Sequence, residues 1–216
     1  FDAAGTRLSE TLEGLQAVSD RPLVLREVPI REGETVTGYV DLVSERAYRY
    51  RPGQPSDLIR LPDAVKGEES AARQGMLEHL ADFDDHLMEE LLEDVQPPPD
   101  EIYADLARDL AEDLIVPVFF GSAENDSGIR RLLKALRHDV PGPEQTRARL
   151  GLAADGPPLA QVFKTVHAAH TGKLSFVRIW RGTFADNQSL PCGRLSGLYA
   201  PGPGGLAKTA RAGVGE

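Results

Sequence analysis

Residues suited to chemistry fall at four places in the sequence. The first is Gly121-Ser122-Ala123, which follows the apolar run Val116 to Phe120 and precedes a polar turn and an amphipathic segment. A run of this kind reads as a buried strand that ends in a loop and feeds a helix. In open α/β sheets ligands bind at that junction, at the carboxyl end of a strand. The second place is the acidic segment holding His79, Asp82, Asp85, His86 and Glu89. Imidazole and carboxylate at helical spacing are metal-ligand types. No tight paired-ligand spacing is present, so these residues read as an exposed acidic face with two histidines in it. The third is His167 and His170, three apart in strand-like sequence and therefore facing opposite sides, a poor metal pair. The fourth is Cys192, the sole cysteine; no histidine lies near it in sequence, and it reads as a plain thiol.

Several motifs are missing from the sequence. There is no phosphate-cradling G-x-x-x-x-G-K-[ST], no dinucleotide G-x-G-x-x-G between strand and helix, no serine nucleophile elbow and no Cys-x-x-Cys. The chain carries no complete catalytic constellation. One cysteine also excludes an internal disulfide and fits a reducing compartment.

The elements that must position the Gly121–Ala123 loop follow from periodicity. Phe1 to Leu15 reads as a helix with Leu8, Leu12 and Leu15 on one face. Leu23 to Ile30 reads as a strand ending at Pro29 and Gly33. Val36 to Tyr50 reads as two strands about Ser44 to Arg46, Pro52 to Pro55 as a loop, and Leu58 to Leu61 as a short strand. Glu68 to Val95 reads as one long helix with Met76, Leu80, Phe83, Leu87 and Leu91 along a stripe. Asp100 is expected to cap the next helix. Ile115 to Phe120 is the central strand. Asp126 or Ser127 is expected to cap a helix that buries Ile129, Leu132, Leu133 and Leu136. Residues 140–158 hold four prolines and three glycines and read as a linker. From Leu159 the period becomes two, with Gly172 and Gly182 as turns, which indicates an antiparallel barrel or sandwich.

With 216 residues, one or two domains are expected. No apolar run approaches the roughly 18 residues that span a membrane, and there is no signal peptide. The net charge of −10 is unevenly spread. Residues 64–113 hold sixteen acidic against three basic side chains, whereas 158–216 hold seven basic against two acidic. An acidic middle would repel phosphates and a basic end could approach them, but charge balance by itself reads first as a solvated acidic helix face and ordinary surface lysines. The chain starts at Phe1 and ends in strand-like sequence, and it reads as a fragment.

Three blocks, in order, resemble one family. Gly121-Ser122-Ala123, before a G-I-x-x-L-L-x-A-L helix, resembles the last of the five guanine-nucleotide motifs of translational GTPases. Pro29 to Tyr50 resembles the start of the subdomain inserted in the G domain of elongation factor G, and the helices of Glu68 to Leu114 sit where that insert's helices sit. Phe163 to Gly182 resembles the first strands of that factor's second domain, a β-barrel, in wording closer to the elongation-factor-G-like paralogues.

The resemblance implies an α/β plus all-β fold. Residues 1–140 would be the C-terminal part of a P-loop GTPase domain with an α+β insert at about 29–114. Residues 141–157 would be a linker and 158–216 an incomplete antiparallel β-barrel. It implies that the Ala123 N–H donates to the guanine carbonyl oxygen and that Ser122 braces the loop. The chemistry agrees: a small residue lets the backbone approach the base edge, and a backbone donor distinguishes a carbonyl from an amino group. Glu124 departs from the Lys, Leu or Phe that often follows the alanine. The resemblance also implies GTP or GDP with Mg²⁺ in a full-length parent, with no tight binding and no hydrolysis by this piece, since the phosphate side would precede Phe1. The implied partner is the ribosome, through protein contacts of the acidic insert and RNA contacts of the basic barrel, with Lys173, Arg178 and Arg181 as candidates. A cytoplasmic monomer without membrane contact is expected. The stretch Ser189 to Gly197 is short for two barrel strands and their hairpin. Alternatives are a ribosome-protection or release-factor relative, a stand-alone protein- or RNA-binding module, or an unrelated hydrolase using the acidic helix.

Overall fold

A computed structural model describes residues 7–168, 172–191 and 193–216. Two compact units divide at Val140/Pro141. The first opens with α1 (Leu8–Gln16), whose Leu8 and Leu12 are half-buried while Leu15 is exposed. Strand β1 (Leu23–Leu25) follows, then β2 (Glu27–Glu32), β3 (Thr35–Asp41), β4 (Arg46–Arg51) and β5 (Gln54–Ile59). The single strand expected over Leu23 to Ile30 is thus two, parted at Arg26. Strands β2 to β5 form a four-stranded antiparallel sheet in sequential order.

Pro29 does not end its strand, and Pro55 lies in a strand rather than a loop. Both sit on the outer strands of this sheet, where a missing N–H leaves no ladder bond unmade on the open side. Across β2 and β3 Val28 faces Val40, and across β3 and β4 Val40 faces Ala47. These buried residues meet helices α2 (Lys66–Ala81), α3 (Asp85–Leu92) and α4 (Pro99–Ala111) in one core with Leu42, Met76, Leu77, Leu80, Leu87, Ile102 and Leu106. Arg73 of α2 reaches into the β3–β4 turn and donates to the carbonyls of Leu42 and Val43.

The long acidic helix expected over Glu68 to Val95 is broken. Residues 82–84 separate α2 from α3, and Asp84 caps α3 by accepting from the N–H groups of His86 (2.9 Å) and Leu87 (3.2 Å). Asp84 also takes Arg108 of α4 at 2.7 Å, and Arg108 in turn meets Asp105 and Asp109. Of the expected stripe, Met76, Leu80 and Leu87 are buried, but Phe83, at the break, is 37% exposed. Pro98, not Asp100, holds the N-cap position of α4, with Pro99 in its first turn. A proline there gives up no helix bond, because the first N–H groups have no intrahelical acceptor. The short strand β6 (Val116–Val118) then runs parallel to β1, Val24 opposite Pro117. Helix α5 (Ile129–Asp139) ends the unit.

The second unit starts with α6 (Pro143–Arg149), a helix inside the segment expected to be a linker. Its start is held by Gln145, which accepts from the Gly142 N–H at 2.9 Å. Strands β7 (Leu159–Ala168) and β8 (Gly172–Arg181) form a long antiparallel hairpin whose register shifts near both Leu159 and Val162. Short strands complete the unit: β9 (Phe184–Ala185), β10 (Ser189–Leu190), β11 (Gly193–Arg194), β12 (Tyr199–Gly202), β13 (Gly205–Lys208) and β14 (Arg211–Ala212). They pair antiparallel as β10 with β11, β12 with β13, and β9 with β14. These are separate pairs and not a closed barrel among the described residues. The short stretch after Ser189 makes a minimal hairpin, with strands of two residues each. His170 and Cys192 lie outside the described residues, as do residues 1–6 of the expected first helix.

Asp84 joins α3 to α4, so Asp84→Ala should lower stability by roughly 1–2 kcal/mol, through the lost cap and the lost bond to Arg108. The Leu87 N–H and Arg108 hold the Asp84 carboxyl below its usual 3.8. Its contribution is therefore present at neutral pH and lost on acidification through that range. Urea unfolding at pH 7 should show a lower midpoint in the variant, with the gap to wild type narrowing as the pH is taken below 3.8.

Candidate functional site

Strand β6 delivers the Gly121–Ala123 loop. Its parallel ladder with β1 continues as the Arg26 N–H donates to the Val118 carbonyl at 3.0 Å. The Arg26 carbonyl then accepts from the Leu42 N–H at 3.1 Å, so the chain passes from the parallel pair into the antiparallel sheet at one residue. Beyond β6 the loop closes on itself. Ser122 and Ser127 exchange backbone hydrogen bonds of 2.9 and 3.0 Å. The buried Ser122 Oγ accepts from the Asn125 N–H at 3.1 Å and from its Nδ2 at 2.9 Å.

Two glycines permit this closure. A Cβ on Gly121 would stand 2.6 Å from the Ser127 carbonyl oxygen, and one on Gly128 2.6 Å from that of Phe120. Gly128 also has φ of 77° and takes the N-cap position of α5. The expected caps, Asp126 and Ser127, do not serve: Asp126 turns the loop at φ of 52°, and the Ser127 backbone is engaged with Ser122. Ala123 is exposed, and its N–H has no protein acceptor among the described residues. A backbone donor on a closed loop can read a carbonyl oxygen on a planar ligand.

Behind the loop lies a buried charged cluster that sequence reading missed. Glu27 and Asp41 face each other across β2 and β3, and both are buried. Arg131 of α5 enters between them, 2.5 Å from Asp41 and 3.9 Å from Glu27. The other Glu27 oxygen accepts from the Phe120 N–H at 3.1 Å. Beside it, the fully buried Arg26 pairs with Asp139 at 2.8 Å. Phe119 lies near both guanidinium groups, with Arg26 5.3 Å and Arg131 5.0 Å from its ring centre. Burial pushes the Glu27 carboxyl up from 4.5 to about 7, against the Phe120 N–H and Arg131, which both favour the charged form. The signal available in the sequence was the pair Arg26-Glu27 inside L-V-L-R-E-V-P-I and Asp41 inside Y-V-D-L-V: charges set among strand-forming apolar residues.

This cluster explains why the expected buried side of α5 is wrong. Arg131, Ala135 and Asp139, four apart, form the face that turns inward. Leu132, Leu133 and Leu136 are 40%, 60% and 51% exposed. On the outer side of the loop, Glu124 to Ser127 line a cleft of about 610 Å³ with Arg49, Tyr50 and Gly53 of the β4–β5 hairpin. Arg130 of α5 donates to the Gly53 carbonyl at 3.3 Å.

The acidic-helix residues are brought together differently from their sequence spacing. His86 lies 3.9 Å from Glu90 and 3.8 Å from Glu101 of α4, and one ligand atom of each falls within 4.8 Å of the others. His79, Asp82, Asp85 and Glu89 do not join them. Of these three the sequence reading singled out His86 alone; Glu90, four residues on, and Glu101 were not among the residues it named. His167 faces Lys173 across β7 and β8. Lys173 is exposed, but Arg178 and Arg181 are half-buried. Arg178 donates to the Gly215 carbonyl, and Arg181 donates to those of Pro157 (2.6 Å) and Ala153 (2.9 Å).

No protein-family model matches the chain. Among curated proteins it is 49% identical to an elongation factor G-like protein of Synechocystis over 92% of its own length. It is 28% identical to an elongation factor G of Rhodopirellula baltica over 88%. It spans 30% and 29% of these two relatives. A crystal structure of a protein from Thermus thermophilus superposes on 98% of the chain with a TM-score of 0.77 and 28% identity, the match covering 31% of that protein.

Arg131→Leu would leave two buried carboxylates facing each other. The expected loss is about 3–5 kcal/mol at pH 8. It should shrink toward pH 5. The folded state holds the Glu27 proton between 4.5 and about 7, so this group's contribution falls as pH rises through that window. Removing the cation raises the carboxyl further and steepens the fall. Thermal unfolding of wild type and variant from pH 5 to 8 measures both slopes.

Proposed function

The chain belongs to the elongation factor G-like family of translational GTPases, and we propose that it supplies the guanine side of a nucleotide pocket together with ribosome-facing surfaces of a longer protein. The observation that carries this reading is the Ser122–Ser127 loop, closed on itself at the end of a parallel strand and presenting an Ala123 N–H without a protein acceptor among the described residues. In this reading that N–H meets the guanine carbonyl oxygen and Ser122 holds the loop's shape through Asn125. GTP or GDP would take its phosphate and Mg²⁺ contacts from residues outside this chain, which has no G-x-x-x-x-G-K-[ST]. The exposed leucines of α5 would then seat against the rest of the nucleotide domain, because an apolar helix face of this size is normally covered.

The second unit would approach ribosomal RNA. Its seven basic against two acidic residues in 158–216 support this, with Lys173 the exposed contact. Arg178 and Arg181 would add charge while their donors hold the unit's own carbonyls. The acidic helices α2 to α4 would meet protein and not RNA. Among the described residues no helix is long and apolar enough to cross a membrane, and the cytoplasm is the compartment that fits a ribosomal partner.

Two calorimetric results are expected. The isolated chain shows no micromolar binding of GDP; such binding would sink the claim that the phosphate side lies elsewhere. In the full-length protein, Ala123→Pro removes the donor and weakens GDP binding by about tenfold or more, with less preference for GDP over ADP. Unchanged affinity and preference would refute the assignment of the loop.

A further inference from the structure

We propose that Glu27 is a positioning residue for nucleotide recognition: by accepting the Phe120 N–H inside the buried cluster, its carboxylate fixes the end of β6 and with it the Ser122–Ala123 amides. The inference rests on the reading of that loop given above and adds to it the group that sets the loop's place.

The geometry is specific. Phe120 is the last residue before Gly121, and its amide lies two residues past the last ladder bond, which the Val118 carbonyl accepts from Arg26. Strand β6 is three residues long and has one hydrogen-bonded neighbour, β1, among the described residues. So short an element fixes its own end poorly. The 3.1 Å bond from the Phe120 N–H to Glu27 supplies an anchor 93 residues away in sequence, from a side chain that is itself fully buried. Glu27 in turn cannot swing away. Its strand is paired with β3, and Arg131 of α5 lies 3.9 Å from its second oxygen. Cation–ring contact adds a second constraint, since Phe119 lies near both Arg26 and Arg131. Residues 119 and 120 are thus held by side chain and backbone together, and the loop begins one residue later.

The groups facing Glu27 come from every element packed on it. They are Arg26 at the β1–β2 junction, Asp41 and Tyr39 of β3, Tyr50 of β4, Arg131 of α5 and the Phe120 N–H. Burial pushes both tyrosines up, so they stay neutral near pH 7. Arg26 and Arg131 are always charged, and Asp41 keeps its own bonds to the Val43 and Ser44 N–H groups. Glu27 is then the group whose titration near neutrality the Phe120 amide reports. A charged carboxylate makes a stronger bond to that amide than a protonated one.

The test uses the full-length protein for nucleotide binding and this chain for spectroscopy. The Phe120 amide resonance should titrate with a midpoint at about 7, and Glu27→Gln should abolish that titration while keeping an acceptor and near-normal GDP affinity. Glu27→Leu should weaken GDP binding about tenfold and speed hydrogen exchange at Phe120. A Phe120 amide that does not titrate, or that still titrates in Glu27→Gln, overturns the proposal even if Glu27→Leu fails to fold. If Glu27→Leu binds GDP normally while Ala123→Pro does not, Glu27 has no positioning role and the loop assignment stands. If neither variant changes GDP binding, both fall.

Discussion

The first unit hangs on one arginine placed between two carboxylates. Arg131 enters from α5 and meets Glu27 and Asp41, neighbours across β2 and β3. Removing three charges from water is expensive, and their attraction repays it only with good geometry and further hydrogen bonds. Those bonds are present at Asp41 and at one oxygen of Glu27, whereas the second Glu27 oxygen and the Arg131 Nε, 3.9 Å apart, have no hydrogen-bond partner among the described residues. Asp41 also accepts from the Val43 N–H, the Ser44 N–H and the Ser44 hydroxyl, and so closes the β3–β4 turn. Glu27 also accepts from Phe120. Each carboxylate therefore does two jobs, one in the sheet and one toward the helix. The result is that sheet, turn, strand end and helix meet at a single set of charges. An apolar replacement of similar volume would pack there, but it could not hold an amide at a fixed point.

Charges in the core also explain what could and could not be read in the sequence. The loop Gly121-Ser122-Ala123 stood out because an apolar run stops there, and the structure places it at the end of β6. The inward face of α5 was hidden. A rule that turns leucines inward chose Leu132, Leu133 and Leu136, whereas the helix turns Arg131, Ala135 and Asp139 inward. Periodicity alone cannot see that a charge has a partner about ninety residues away. The break at Asp84 was hidden for a similar reason. Its neighbours keep helical spacing, which hides a cap formed by Asp84 on the His86 and Leu87 N–H groups, and the Arg108 that holds its other oxygen is 24 residues away. Asp105 shows the strength of that setting: burial lifts its carboxyl to about 6 although Arg108 stands beside it. Pro29 and Pro55 misled in the opposite direction. Their effect depends on whether a strand has one neighbour or two, which is a property of the sheet and not of the segment.

The second unit shows a limit of reading function from charge. A basic balance in 158–216 suggests a surface that meets phosphate, yet two of its arginines use their donors on the unit's own backbone. Arg181 ties Ala153 and Pro157 to β8, which gives the proline- and glycine-rich approach to the hairpin a defined path. The apolar side chains Val162 and Phe163 of the long β7–β8 hairpin and Leu206 of the β12–β13 pair remain exposed, as expected of strand pairs that do not close on one another.

The self-closed form of the Ser122–Ser127 loop has a thermodynamic consequence. A loop that must order itself around a ligand loses chain entropy at the moment of binding, at about 1–2 kcal/mol per backbone residue. Here the bridge, the Ser122–Asn125 bonds and the two close-packed glycines define the shape through the chain's own contacts. That cost is met during folding, and little remains to oppose association. In the proposed reading such a rigid loop gains selectivity as well, because it cannot relax around a ligand whose edge carries a donor where an acceptor is needed.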